Sequence, residues 1–226
     1  MEIRLTEKFL LIAHNPEKGR FLINSIQLNY GIIGAILMEM TFDDRISIEK
    51  DKLLLKSFKN SKDPVISEIT STIKKSDKPR KLKYWISKLE KRARKYKWIF
   101  LERMQKEKLV RIEEKKFLGF ISYRKCYLIN KRIRGDISKQ LNEAVLYKKD
   151  LNDEKIVLLG LVQACGMHKS IASDRQELKI IKKKLKVILK EEPIAQAVGK
   201  TIAEMQAAIT GVLAGSIASS TAVAVS

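Results

Sequence analysis

The chain has 226 residues, 45% of them hydrophobic and 32% charged, enough for one globular domain or two small ones with a sizeable core. Lysine and arginine outnumber aspartate and glutamate 46 to 26, a formal charge of +20, which speaks for a polyanionic partner and says nothing of fold. The two cysteines, Cys126 and Cys165, lie far apart in apolar contexts with no CxxC. That argues against a disulfide framework or zinc site and for a reducing, cytoplasmic compartment.

Thr6 reads as the N-cap of a first helix running to about His14. Its apolar run, Phe9 to Ala13, is too short to span a bilayer, and its flanks do not suit a signal peptide. Asn15–Arg20 (NPEKGR) is a turn by its Asn-Pro and its glycine. Leu22–Phe42 is a long apolar helix, polar at few positions and therefore central to the core. Ile46, Ile48, Leu53 and Leu55 alternate on either side of EKDK, which predicts a hairpin. Asp63-Pro64 starts a short helix to about Lys74, SDKPRK (Ser76–Lys81) is a polar break, and one long helix runs from about Lys81 to Lys108. Leu109–Ile112 reads as a strand, and Phe117–Ile129 as two strands tipped by Tyr123-Arg124-Lys125. Helices follow at about Asp136–Tyr147, Asn152–Cys165, Ser173–Lys190 and from Pro193, which suits a first turn. From Ile202 to Ser226 the one charge is Glu204, and Gly211–Gly215 (GVLAG) has small-xxx-small spacing. The weak hydrophobicity of its Ala, Ser and Thr favours a buried helix over a membrane segment. The expected architecture is mostly α, one compact domain over residues 1–226 with small peripheral β-hairpins.

The long helix carries the strongest functional signal. At about 100° per residue, Trp85, Leu89, Ala93, Tyr96, Phe100 and Met104 form one apolar stripe, the core face. Lys88, Lys91, Arg92 and Lys95 line one flank, Arg94 and Lys97 the other, and Trp98 stands among the cations. Between Lys74 and Lys97 there are 12 cations against Asp77 and Glu90. If they form one exposed patch, each contributes about 1 kcal/mol at an anionic leaflet. The basic face, Lys91 included, is thus a candidate surface for an anionic membrane, with Trp98 either at headgroup depth or packed on another element. The same basic helix, followed by a strand and a hairpin with Arg124 and Lys125 on its wing, also fits a winged-helix DNA binder. Residues alone leave both polyanions open, and a solvated lysine-rich surface as well.

His14 and His168 are not spaced as metal ligands, and Cys165 belongs to an apolar helix. No nucleophile elbow, phosphate loop or dinucleotide fingerprint occurs, and no paired acid and base is visible. Catalysis, cofactor and metal are not expected.

Four segments, LTEKFLLIAHNPEKGRF, LNYGIIGAILMEMTFDDRISIE (Leu28–Glu49), FLERMQKEKLVRIEEKKFLGF (Phe100–Phe120) and VLLGLVQACGM (Val157–Met167), occur in the order that resembles the Golgi phosphoprotein 3 family. The resemblance covers nearly the whole chain. It implies a mostly helical domain that attaches peripherally to membrane, binds phosphatidylinositol 4-phosphate or a similar lipid, and acts as an adaptor for cytoplasmic tails of membrane proteins. The family pocket uses a tryptophan and an arginine of an N-terminal helix and two arginines at i, i+3 of the later basic helix. The i, i+3 pair corresponds to Arg94 and Lys97, both cationic. The other two correspond to Asn24 and Ile33, which match neither residue, so selectivity for one inositol phosphate is expected to be weak. The hairpin bearing Phe117, Phe120, Tyr123, Arg124 and Lys125 corresponds to one that serves membrane contact or self-association, so a homo-oligomer is also implied.

Overall fold

The computed structural model describes residues 3–191 apart from 51, 58, 60 and 119, together with 203, 206, 207 and 209–211. The chain runs α1 (Leu5–Ala13), α2 (Ser25–Phe42), β1 (Ile46–Glu49), β2 (Lys52–Leu55), α3 (Pro64–Lys74), β3 (Arg80–Lys81) and α4 (Leu82–Lys106). It continues through β4 (Val110–Phe117), β5 (Ile121–Leu128), α5 (Lys131–Tyr147), α6 (Asp153–Ala164) and α7 (Arg175–Glu191). The molecule is mostly helical, as its apolar periodicities require.

Side-chain caps open several of these helices. Asn24 accepts from the Gln27 N–H while the Gln27 side chain accepts from Asn24, a reciprocal cap that starts α2. Asp63 accepts from the Val65 and Ile66 N–H groups ahead of α3, and Asn152 caps α6 through Lys155. Apolar on every side, α2 is enclosed by α1, α4 and α6, with Ile32, Ile33, Ile36 and Leu37 fully buried. Gly31 makes this crossing possible. A Cβ there would stand 2.2 Å from Phe9 Cζ and 2.9 Å from Cys165 Sγ, so only glycine admits α1 and α6 so close. The stripe of α4 from Trp85 to Met104 lies on the same core. α5 and α7 form an outer layer over α1 and α6, while the β1-β2-β3 sheet and α3 lean on α4.

Three expectations are corrected. Thr6 is not the cap of α1. Its hydroxyl donates to the buried Glu39 carboxylate at 2.7 Å, because a carboxylate in the core must be hydrogen-bonded, and the cap is Arg4, two residues earlier. Glu39 also pairs with Arg4, and Arg103 reaches Glu7 at 2.6 Å and Asp63 at 2.8 Å, so one ionic network ties α1, α2, α3 and α4 together. The polar break at Ser76–Lys81 ends in a strand, since Arg80 and Lys81 pair with β2. The ladder closes at Phe117 paired with Ile121, with Leu118 and Phe120 in the turn, and the hairpin does not reverse at Tyr123-Arg124-Lys125. The charged run Arg111–Lys116 looks like loop in isolation, but Glu113 faces Lys125 and Glu114 faces Arg124 across the ladder, so the strand runs on to Phe117. Leu118, at φ 51°, begins the turn.

No helix among the described residues is long and apolar enough to cross a membrane. Most of the segment from Pro193 to Ser226 lies outside the described residues, and with it the expected C-terminal helix. Within it Ile209 is buried and Gln206 donates to the Gln163 carbonyl.

Candidate functional site: a cationic cleft between α4 and the hairpin

Successive side chains of a strand point to opposite faces, so Ser122, Arg124, Cys126 and Leu128 share one face of β5. Cys126 and Leu128 are buried on it. Beyond the edge of the core the same face turns Arg124 onto α4, where its guanidinium stacks 4.0 Å from the Trp98 ring centroid. Its Nη1 lies 2.7 Å from Glu102 Oε1. Arg94, Trp98 and Glu102 follow at four-residue steps along α4, with Lys97 beside them. Ser25, Leu28 and Asn29 close the opposite wall, which brings the positive end of α2 to the same place. With Ser122, Tyr123 and Arg124 they enclose a cleft of about 560 Å³.

The turn after α1 seals the base. Phe21 bridges to His14, whose ring nitrogens meet the Asn15 and Cys126 carbonyls at 2.8 and 2.7 Å. Gly19 lies flat against Tyr127, where a Cβ would come within 2.7 Å of the ring. This turn delivers Phe21 to Lys97, whose Nζ sits 5.7 Å from the Phe21 centroid and 5.0 Å from that of Trp98.

Lys97 is half-buried, and among the described residues no acceptor lies within hydrogen-bonding reach of it. Burial pushes its pKa below the ordinary lysine value, and the like charges of Arg94 and Arg124 push it the same way. Arg94 also makes no ion pair with the described residues. Glu102 is tied to Arg124, and Glu90, one turn before Arg94, is held by Asn29 at 2.8 Å. Three cations therefore converge on one cleft, and among the described residues one carboxylate, Glu102, pairs with one of them, Arg124.

Arg94, Lys97, Trp98, Tyr123 and Arg124 are thus brought together. Lys91 is exposed on α4 outside the cleft lining, and Lys125 lies on the other face of β5, 5.8 Å from the Tyr123 ring. Asn24 is the cap of α2, adjacent to the wall residue Ser25, while Ile33 is buried in the core outside the cleft lining. Phe117 and Phe120 stand at the hairpin tip, 58% and 74% exposed, with Leu118 and Ile121 beside them at 70% and 50%. The cations from Lys74 to Lys97 do not form one patch. Arg92 and Lys95 pair with Glu68 at 2.6 and 2.7 Å on the α3 side, Arg80 and Lys88 lie over Tyr84, and the cleft keeps Arg94 and Lys97. A helix distributes a dense charge run around its circumference, and α3 supplies a carboxylate to one flank only.

Sequence reasoning missed Arg124 as a cleft residue, together with Ser25, Leu28, Asn29, Ser122 and Glu102. One signal was available for Arg124, its parity with the apolar Cys126 and Leu128 along the strand.

Among the described residues no group of histidine, cysteine and acid could hold a metal ion. The cleft offers two guanidinium forks for bidentate anion binding, an ammonium point charge and an aromatic floor. Comparison with known families finds that the model of Golgi phosphoprotein 3 (GPP34) matches residues 5–205. No curated protein matches the chain.

Proposed function

The chain belongs to the Golgi phosphoprotein 3 family, and on that premise we propose that the cleft formed by Arg94, Lys97 and Arg124 binds the phosphate of an anionic phospholipid headgroup. The observation that carries this reading is Lys97, a half-buried ammonium that shares its cleft with two guanidinium groups and has no acceptor in reach among the described residues. A desolvated cation without a counter-ion is costly, and a bound phosphate offsets that cost directly. Trp98 and Arg124 supply from α4 and β5 the aromatic ring and the further cation that Asn24 and Ile33 do not provide.

The hairpin tip favours a bilayer over other polyanions. Phe117, Leu118, Phe120 and Ile121 are exposed beside Lys115 and Lys116, an arrangement suited to acyl chains under a phosphate layer. A nucleic-acid wing has no use for four exposed apolar side chains at its tip, and here Arg124 is turned back onto α4. On this reading the protein attaches peripherally to membrane, where it can act as an adaptor for the cytoplasmic tails of membrane proteins.

Flotation with vesicles of graded anionic content, with and without phosphatidylinositol 4-phosphate, tests the proposal. Binding that rises with anionic content and is abolished in Arg94→Glu/Lys97→Glu supports it. No flotation on any anionic vesicle overturns it. A gel shift on duplex DNA at physiological salt with a steep salt slope would assign the cleft to nucleic acid instead.

A further inference from the structure

Docking uses Lys97 as a charge and leaves its amine without a role. A lysine becomes a nucleophile when desolvation and neighbouring cations keep part of it as free amine. Lys97 meets both conditions: it is half-buried against Trp98 and Phe21, and Arg94 and Arg124 share its cleft. Its pKa is lowered accordingly, first by burial and then by Arg94. The exposed Lys91, outside the cleft lining on the same helix, has cationic neighbours but lacks the burial. The guanidinium groups that raise the share of free amine also hold phosphoryl oxygens, so the cleft concentrates electrophiles that carry a phosphate.

We propose that Lys97 is an acylation site, modified by acyl phosphates that enter the cleft phosphoryl group first. The proposal rests on the reading of the cleft as a phosphate site. The Nζ lone pair attacks the acyl carbonyl carbon and a C–N bond forms. The bond from that carbon to the phosphate oxygen breaks, orthophosphate leaves with the electron pair, and the surplus nitrogen proton passes to water. The product is a neutral amide, so the cleft loses one of its three cations and membrane docking weakens. Lys97 thus couples the supply of an activated acyl group to the time the protein spends on the membrane.

The test treats the full-length protein with acetyl phosphate at neutral pH and quantifies acetylated peptides by mass spectrometry, with Lys91 as the internal standard. Lys97 is expected to acetylate severalfold faster than Lys91, and excess orthophosphate should suppress Lys97 alone. Arg94→Gln/Arg124→Gln, checked for folding by circular dichroism, should bring Lys97 down to the rate of Lys91. Equal labelling of Lys97 and Lys91 in the wild type overturns the proposal, as does a preference that orthophosphate does not affect. Flotation of the unmodified protein is scored separately. Failure there removes the docking reading, whereas failure of selective acetylation with flotation intact removes only this one.

Discussion

Glu102→Gln should make the protein bind anionic membrane more tightly. Among the described residues Glu102 is the one carboxylate paired with a cleft cation, 2.7 Å from Arg124 Nη1, so Arg94, Lys97 and Arg124 together with Glu102 carry two net positive charges. Glutamine raises that to three. Arg124→Gln lowers it to one, and the double variant returns it to two. At about 1 kcal/mol per charge beside an anionic leaflet, each step changes the partition coefficient roughly fivefold. Glu102→Gln should therefore bind about five times more tightly, Arg124→Gln about five times more weakly, and the double variant close to wild type. The Glu102 and Arg124 side chains are 51% and 35% exposed, so breaking their pair costs at most about 1 kcal/mol of stability. The assay is a vesicle titration at two ionic strengths, with higher salt compressing the series. Unchanged or weaker binding by Glu102→Gln, at wild-type melting temperature, refutes the electrostatic account of the cleft.

Phe120→Glu removes an exposed apolar group from the hairpin tip. It should reduce vesicle binding by about 1.5–3 kcal/mol, the value of one buried aromatic side chain, without changing thermal stability. A change of sedimentation in lipid-free protein with flotation retained would assign the tip to self-association. Arg103→Ala leaves Glu7 and Asp63, whose side chains are 2% and 7% exposed, without their α4 partner. Urea unfolding should show a loss of about 3–5 kcal/mol, and a loss under 1 kcal/mol would show that the network is dispensable. Lys97 also gives a pH signature with a definite sign. Its folded pKa lies below its unfolded value, so the folded chain holds fewer protons between the two and stability rises with pH across that window. Lys97→Met should accordingly be more stable than wild type at neutral pH, with the difference closing as alkaline pH discharges the lysine. A difference that is constant across the titration would contradict this.

The sequence by itself determined the parts of the protein that depend on local periodicity. The all-round apolar run at Leu28–Met40 made a central helix, the stripe from Trp85 to Met104 oriented α4, and the alternation around EKDK made the first hairpin. Each reads out as burial because an apolar side chain has one favourable place to go. Arg94, Lys97 and Trp98 were legible in the same way, as cations and an indole off the core face of one helix. Only the tertiary structure decided which charges act together. Charged side chains stay in water wherever they fall, so their positions along the chain carry little information about who faces whom. Glu68 on α3 takes up Arg92 and Lys95. Cross-strand pairs of opposite charge extend the second hairpin past its expected tip and turn Arg124 onto Trp98. The turn after α1 closes the space behind Lys97 with Phe21. Those contacts join residues on different elements, and their energy comes from desolvation and Coulomb attraction at short range, which exist only once the core has brought the elements together.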